Sequence, residues 1–233
     1  LLRDTSNKLN ELIKGKSYYN GHNRCIELDI TFQRFYDIYY NFTSANYYLE
    51  KSKDIHINID EWITNEEDIL RIFLRGEYAK TSILLYNSVQ DYVMQIIAAA
   101  FNLYKGDISN KYKFRKQCED ISYLKVVERM DSEHYGFEKY NDILKIIKDY
   151  HYNKQIKEIR RVANNFKHNY NIRWSEMNEY ERFINNIQDK ITPEYKNIND
   201  VICLCSKSIP IIKNYVEDVY NYIADKFGLL KIY

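Results

Sequence analysis

Apolar residues recurring every three to four positions mark three long stretches of the chain as helix. From Thr64 to about Tyr104 they are Ile69, Ile72, Phe73, Ile83, Leu85, Val89, Tyr92, Val93, Ile96, Ile97 and Ala100. Thr64 is a good first residue, because Asn65, Glu66 and Glu67 then place acids where the helix dipole favours negative charge, and Gly106 reads as the stop. The stripe drifts along this length, so Gly76 marks a bend or a point of close packing. A second stretch, Phe137 to Tyr150, carries Tyr140, Ile143, Ile146 and Ile147 at the same spacing. It continues through His151, Tyr152 and Asn153 to His168, either as one helix or with a break near Asn153. The third, Asn199 to Phe227, lines up Ile202, Cys205, Ile209, Ile212, Val216, Val219, Tyr220 and Ile223, with Pro210 predicted to kink it and Gly228 to end it.

Shorter patterns fill the remainder. Glu27 to Lys51 reads as a helix, tyrosine-rich and apolar on more than one face, and Lys111 to Met130 as another, basic at its start. Leu1 to Lys14 predicts a short helix, Gly15 to Gly21 a turn, Asp131 to Gly136 a loop, and Met177 to Ile191 a helix stopped by Pro193. The alternation Ile55, Ile57, Ile59 between Lys53 and Trp62 fits a short extended connector. Only two prolines and six glycines occur in 233 residues, and nothing Pro-, Gly- or Ser-rich divides the chain. The expected fold is all-α, an elongated antiparallel helical bundle formed by residues 1–233 as a single domain.

Composition narrows function by exclusion. A net charge of +1 lacks the basic footprint of a dedicated nucleic-acid coat, and 24 tyrosines spread evenly along the chain are poor evidence for base stacking. Charge is local instead: His151 to Arg173 holds six Lys or Arg against the single acid Glu158, whereas Trp174 to Asp200 holds six acids against three bases. Of the cysteines Cys25, Cys118, Cys203 and Cys205, the last two point about 200° apart on a helix, so they share no metal, and reduced structural thiols are expected. No signal-peptide pattern opens the chain and its longest apolar run, Ile96 to Phe101, is too short for a bilayer, which leads to the expectation of a cytoplasmic protein without membrane contact. No P-loop, GxGxxG, GxSxG or HExxH motif occurs, and no cofactor or metal is expected.

The chemistry concentrates in Arg160 to His168, reading RRVANNFKH, where an arginine pair, two asparagines, a lysine and a histidine share one helical segment. Arg161 and His168 are seven apart, two turns less about 20°, so on a straight α-helix both leave one face roughly 10 Å apart along the axis. Asn164 and Asn165 follow on that stripe, and Ile159, Val162, Ala163 and Phe166 supply the apolar contacts. Arg129 and His134 form a second Arg–His pair, but Asp131 and Glu133 lie between them and their surroundings read as a turn, so this pair ranks well below the first.

Arg161 and His168 with six residues between them, and the ending Asn165, Phe166, Lys167, His168, resemble the HEPN superfamily (higher eukaryotes and prokaryotes nucleotide-binding domain), in a prokaryotic branch. The resemblance implies a four-helix core with additional helices and a metal-independent endoribonuclease that leaves 2′,3′-cyclic phosphate and 5′-hydroxyl ends. Arg161 and His168 would be catalytic, with Arg160, Asn164, Asn165 and Lys167 binding RNA phosphates. It also implies a homodimer, which would bring two histidines to one cleft, and a protein antitoxin or regulator as a further partner. The alternative is a catalytically inactive helical binding or scaffolding module, since Val162 follows the arginine where many active members carry a polar residue.

Overall fold

The structure, a computed structural model, describes residues 26–59, 66–106, 111–132, 140–169, 172–178 and 194–227. The elements expected over Leu1–Lys14 and Gly15–Gly21, the opening residue Thr64, most of the helix expected after Met177, and the stops at Pro193 and Gly228 lie outside these residues, as does His134. Across the described residues the chain is an all-α helical bundle. Its helices are α1 (Ile26–Lys53), α2 (Glu67–Ala100), α3 (Lys111–Glu119), α4 (Tyr123–Ser132), α5 (Asn141–Tyr152), α6 (Lys154–Asn164) and α7 (Ile198–Phe227). A π-helical turn, Asn165–Asn169, follows α6, and two short strands, β1 (Arg173–Trp174) and β2 (Tyr195–Lys196), pair in parallel.

Burial selects one face of α1 from the several its sequence offers. Thr31, Phe35, Ile38, Phe42, Ala45, Leu49 and Ser52 are buried at steps of three and four, while Tyr36, Tyr40 and Tyr47 remain exposed. Helix α2 differs in kind: it begins amphipathic, with Ala79, Ile83 and Tyr86 buried, and from Ile96 to Ala100 every residue is buried. The drift of its stripe leaves Phe73, expected inside, 46% exposed. The chain at Ile55–Ile59 is turn and irregular backbone, with Ile57 and Ile59 buried and Ile55 exposed.

Three helix ends correct or resolve the sequence reading. Helix α2 stops at Ala100, short of Gly106, because Asn102 adopts the left-handed conformation (φ 55°), Leu103 N–H donates to the Ala98 carbonyl at 2.7 Å and Asn102 N–H to the Ala99 carbonyl at 3.2 Å. These are the two bonds of a Schellman cap. Gly106 lies beyond the cap, its N–H donating to the Gln117 side-chain oxygen at 3.1 Å. The helix expected over Lys111–Met130 is two, broken at Asp120–Ser122, with the Ser122 hydroxyl accepting Lys125 N–H at 3.4 Å. Between α5 and α6 the chain breaks at Asn153, whose extended ψ of 133° and side-chain oxygen, accepting from Gln155 N–H at 2.9 Å, make it an N-cap.

The described residues gather into two compact units. The first holds those up to Asn41, Ser88–His151 and those from Ile211; the second holds Phe42–Asn87 and Tyr152–Pro210. In the second, Ser82 Oγ donates to the Ala45 carbonyl, Tyr86 Oη to Asn46, and Arg75 Nε to the Ser52 carbonyl, a register in which α1 and α2 run antiparallel. Cys205 of α7 is buried and its thiol, pushed up to about 12 by burial, hydrogen-bonds Ser82; Cys203 is exposed, as a 200° separation on one helix requires. In the first unit the rings of Tyr150 and Tyr215 stack at 3.7 Å, Tyr123 and His151 stack at 3.5 Å, and Gln90 lies 2.8 Å from His151 Nδ1. Gln90 thereby pairs with this ring.

Arg129 also acquires a structural role. It is buried in α4 rather than set in a turn, donating to the Leu103 carbonyl at 3.0 Å and to Asp120 at 2.5 Å, so it ties the α2 cap to the α3–α4 break. Replacing Asn153 with Ala is expected to lower stability by about 1 kcal/mol in urea denaturation, the usual cost of a lost N-cap. Asn102→Gly should be neutral or stabilising and Asn102→Val should cost about 1–2 kcal/mol, because only the latter meets the left-handed penalty.

Candidate functional site at the end of α6

Helix α6 buries Ile156, Ile159, Val162 and Ala163, and this fixes which way Arg161 leaves the helix. The next turn is wider. From Asn165 to Asn169 the backbone is π-helical, with bonds reaching i→i+5, so each residue advances less around the axis than in an α-helix. The seven-residue spacing of Arg161 and His168 consequently no longer closes two turns, and His168 is rotated away from the α-helical stripe on which the sequence geometry placed it.

Arg161 is 46% exposed at its side chain and bound by two carboxylates. Its Nε and one terminal nitrogen donate to the two oxygens of Glu158, each at 2.8 Å, in the bidentate fork that suits a guanidinium, and its other terminal nitrogen reaches Glu194 at 3.1 Å. Asn165 Nδ2 donates to the second oxygen of Glu194 at 2.6 Å. Lys196 Nζ stands 3.1 Å from Glu194 and 3.9 Å from Glu158. Two acids and two bases thus close a neutral network around the residue proposed to hold a phosphate.

The network depends on a chain reversal. Parallel pairing of β1 with β2, with Arg173 N–H donating to the Glu194 carbonyl at 3.1 Å, carries Glu194 and Lys196 against the last turn of α6. Trp174 anchors the strand pair: it is buried, packs 5.6 Å from the Phe166 ring, and lies against the α2 backbone at Gly76, where a Cβ would overlap the indole. Gly76 is thus a close-packing glycine. Lys80 Nζ stands 5.8 Å over the Phe166 ring, within cation–π range. Glu176 then accepts the Ile198 N–H at 2.9 Å and Asn197 Oδ1 the Asn199 N–H at 2.8 Å, which starts α7 immediately after β2.

The remaining candidates are distributed around this network. Asn164, Lys167 and His168 are exposed, and His168 makes no hydrogen bond or ion pair to the described residues. Arg160 is half-buried with a polar contact of its own. Arg161 and Asn165 are brought together on Glu194; Arg161 and His168 share no partner among the described residues. Glu158, Glu194 and Lys196 are the participants that the sequence did not assign to the site. The acidic surplus after Trp174 was its only trace, and composition does not say which of six acids returns. No group of acids, cysteines and histidines able to hold a metal occurs among the described residues. Comparison with family models, with curated proteins and with solved structures finds no match to the chain.

Ionisation follows the geometry. The hydrogen bonds from Arg161 hold the Glu158 carboxyl below the usual range against a smaller opposing effect of burial. Burial pulls Glu194 upward, but hydrogen bonds from Lys196 and Arg161 together outweigh it and leave this carboxyl lowered as well. Arg161 is raised above its ordinary value, chiefly by its bond to Glu158. Both carboxyls are more acidic folded than unfolded, so their stabilisation is complete above the unfolded glutamate value of about 4.3 and is lost as the pH falls through their lower folded values. Arg161→Ala is expected to cost about 1 kcal/mol, given the exposure of the network, and to flatten the loss of stability between pH 5 and 3 in urea titrations. Gly76→Ala should destabilise despite the better helix propensity of alanine, with a change in tryptophan fluorescence as the Trp174 indole is displaced.

Proposed function

We propose that the chain is a metal-independent endoribonuclease of HEPN type in which His168 transfers protons and Arg161 binds the reacting phosphate. The observation that carries the reading is the exposure of His168: an imidazole at the end of a well-packed helix, without a partner among the described residues, on the same segment as an arginine. Cleavage by the neighbouring 2′-hydroxyl requires removal of its proton, donation of a proton to the leaving 5′-oxygen, and charge stabilisation at phosphorus. One histidine supplies one of the two proton transfers and a guanidinium the charge stabilisation. Two copies of the chain facing each other would supply a histidine for each transfer, so a homodimer belongs to the proposal. Products carry 2′,3′-cyclic phosphate and 5′-hydroxyl ends.

Glu194 gives this reading a specific consequence. A phosphate at Arg161 meets Glu158 and Glu194 as competing anions, and a protein regulator that draws Glu194 away would raise activity. The same clamp favours a second reading, a non-catalytic helical scaffold in which Arg161 is structural and holds β2 on α6.

The two readings part on three variants. For the ribonuclease, His168→Ala and Arg161→Ala each lower cleavage of single-stranded RNA by at least about 10²-fold with helicity retained, and Glu194→Gln raises it. EDTA leaves the rate unchanged. For the scaffold, the wild type leaves RNA intact, or His168→Ala cleaves as fast as wild type, and Glu194→Gln lowers thermal stability without any gain of cleavage.

A further inference from the structure

We infer that the exposed face of α3 is a binding surface for single-stranded nucleic acid, separate from Arg161 and His168. The helix is short, reading KYKFRKQCE from Lys111 to Glu119, with Lys111, Lys113, Arg115 and Lys116 against the one acid Glu119. Its inner face is fixed by Phe114, whose ring lies 5.3 Å from the Arg34 guanidinium and 5.8 Å from the Tyr104 ring, and by Cys118, 3.9 Å from Arg34. That docking decides what faces outward. Tyr112 is 82% exposed, and Arg115 and Lys116, three and four residues on, flank it on the same side.

The face is also left positive by its neighbours. A shallow polar depression of 450 Å³ beside it is lined by Lys105, Gly106, Lys116, Gln117, Glu119 and Asp120. Asp120 is taken by Lys125 and Arg129, whose hydrogen bonds lower its carboxyl below the ordinary value. Lys105, Arg115 and Lys116 make no ion pair with the described residues, so they retain their charge for an outside anion. A regular array of phosphates with stackable bases between them answers this arrangement, because an exposed aromatic ring between cations meets both components of a single strand. An anionic membrane answers it less well. The outward face carries no aliphatic side chain to enter an acyl layer, Phe114 being turned inward.

The test uses the full chain and fluorescence anisotropy of a labelled oligo(dT) 12-mer. This probe has no 2′-hydroxyl, so it is not cleaved by the chemistry proposed for His168, and failure of that chemistry leaves the measurement intact. Arg115→Glu with Lys116→Glu should weaken binding at least tenfold at about 0.1 M salt and reduce the slope of log K against log salt by about 1.4, two contacts at about 0.7 each. Tyr112→Ala should weaken binding at least about fivefold with the slope unchanged, as a stacking contact demands. All three side chains are exposed, and unchanged far-UV circular dichroism verifies the fold. The inference is overturned if wild type does not bind the oligonucleotide, or if the charge reversal leaves its affinity within twofold. It is equally overturned if the reversal abolishes binding to phosphatidylserine vesicles while oligonucleotide binding is unaffected.

Discussion

Burial of α2 on all sides of its C-terminal turns is the constraint on which the first unit depends. A helix whose residues from Ile96 to Ala100 are all buried presents no solvent face, so other elements must cover every side of it. Two of the polar groups in this unit are paired within it: Arg129 takes the Leu103 carbonyl at the helix end, and Gln90 meets His151 at 2.8 Å. The Schellman cap at Asn102 follows from the same constraint. A buried helix end leaves carbonyls that water does not reach, and the cap satisfies two of them locally.

In the second unit the corresponding role falls to a smaller device. A two-residue parallel ladder is weak by itself, yet Trp174 seated on the bare backbone of Gly76 gives it a hydrophobic anchor. The ladder then delivers Glu194 to Arg161 and Asn165, and the start of α7 to its caps at Glu176 and Asn197. Glu194 adjoins β2, so the packing that places the strand pair also places the second carboxylate of Arg161.

Charge along the chain is sorted by the same logic of pairing. In the basic run around α6, Arg161 meets Glu158 and an acid returning from beyond Trp174, Glu194, whereas Asp120, beside the basic run of α3, is engaged by Lys125 and Arg129.

What the sequence determined by itself was the local part of the structure. Helical periods located α1, α2, α5, α6 and α7 to within a few residues, and Asn153 announced a possible break, because side-chain spacing and capping act within one or two turns of chain. The resemblance of RRVANNFKH to a ribonuclease motif is likewise a local statement, about which groups share a segment. Only the tertiary structure decided which residues meet those groups. Glu194 lies 33 positions beyond Arg161, and nothing in the intervening sequence specifies their contact. The π-helical turn that rotates His168, the choice of Asn102 over Gly106 to end α2, and the burial of Arg129 were set in the same way, by packing between segments distant in sequence. A helix end or a charged side chain adopts whichever of several nearly equal local arrangements its neighbours complete, and those neighbours exist only once the chain has folded.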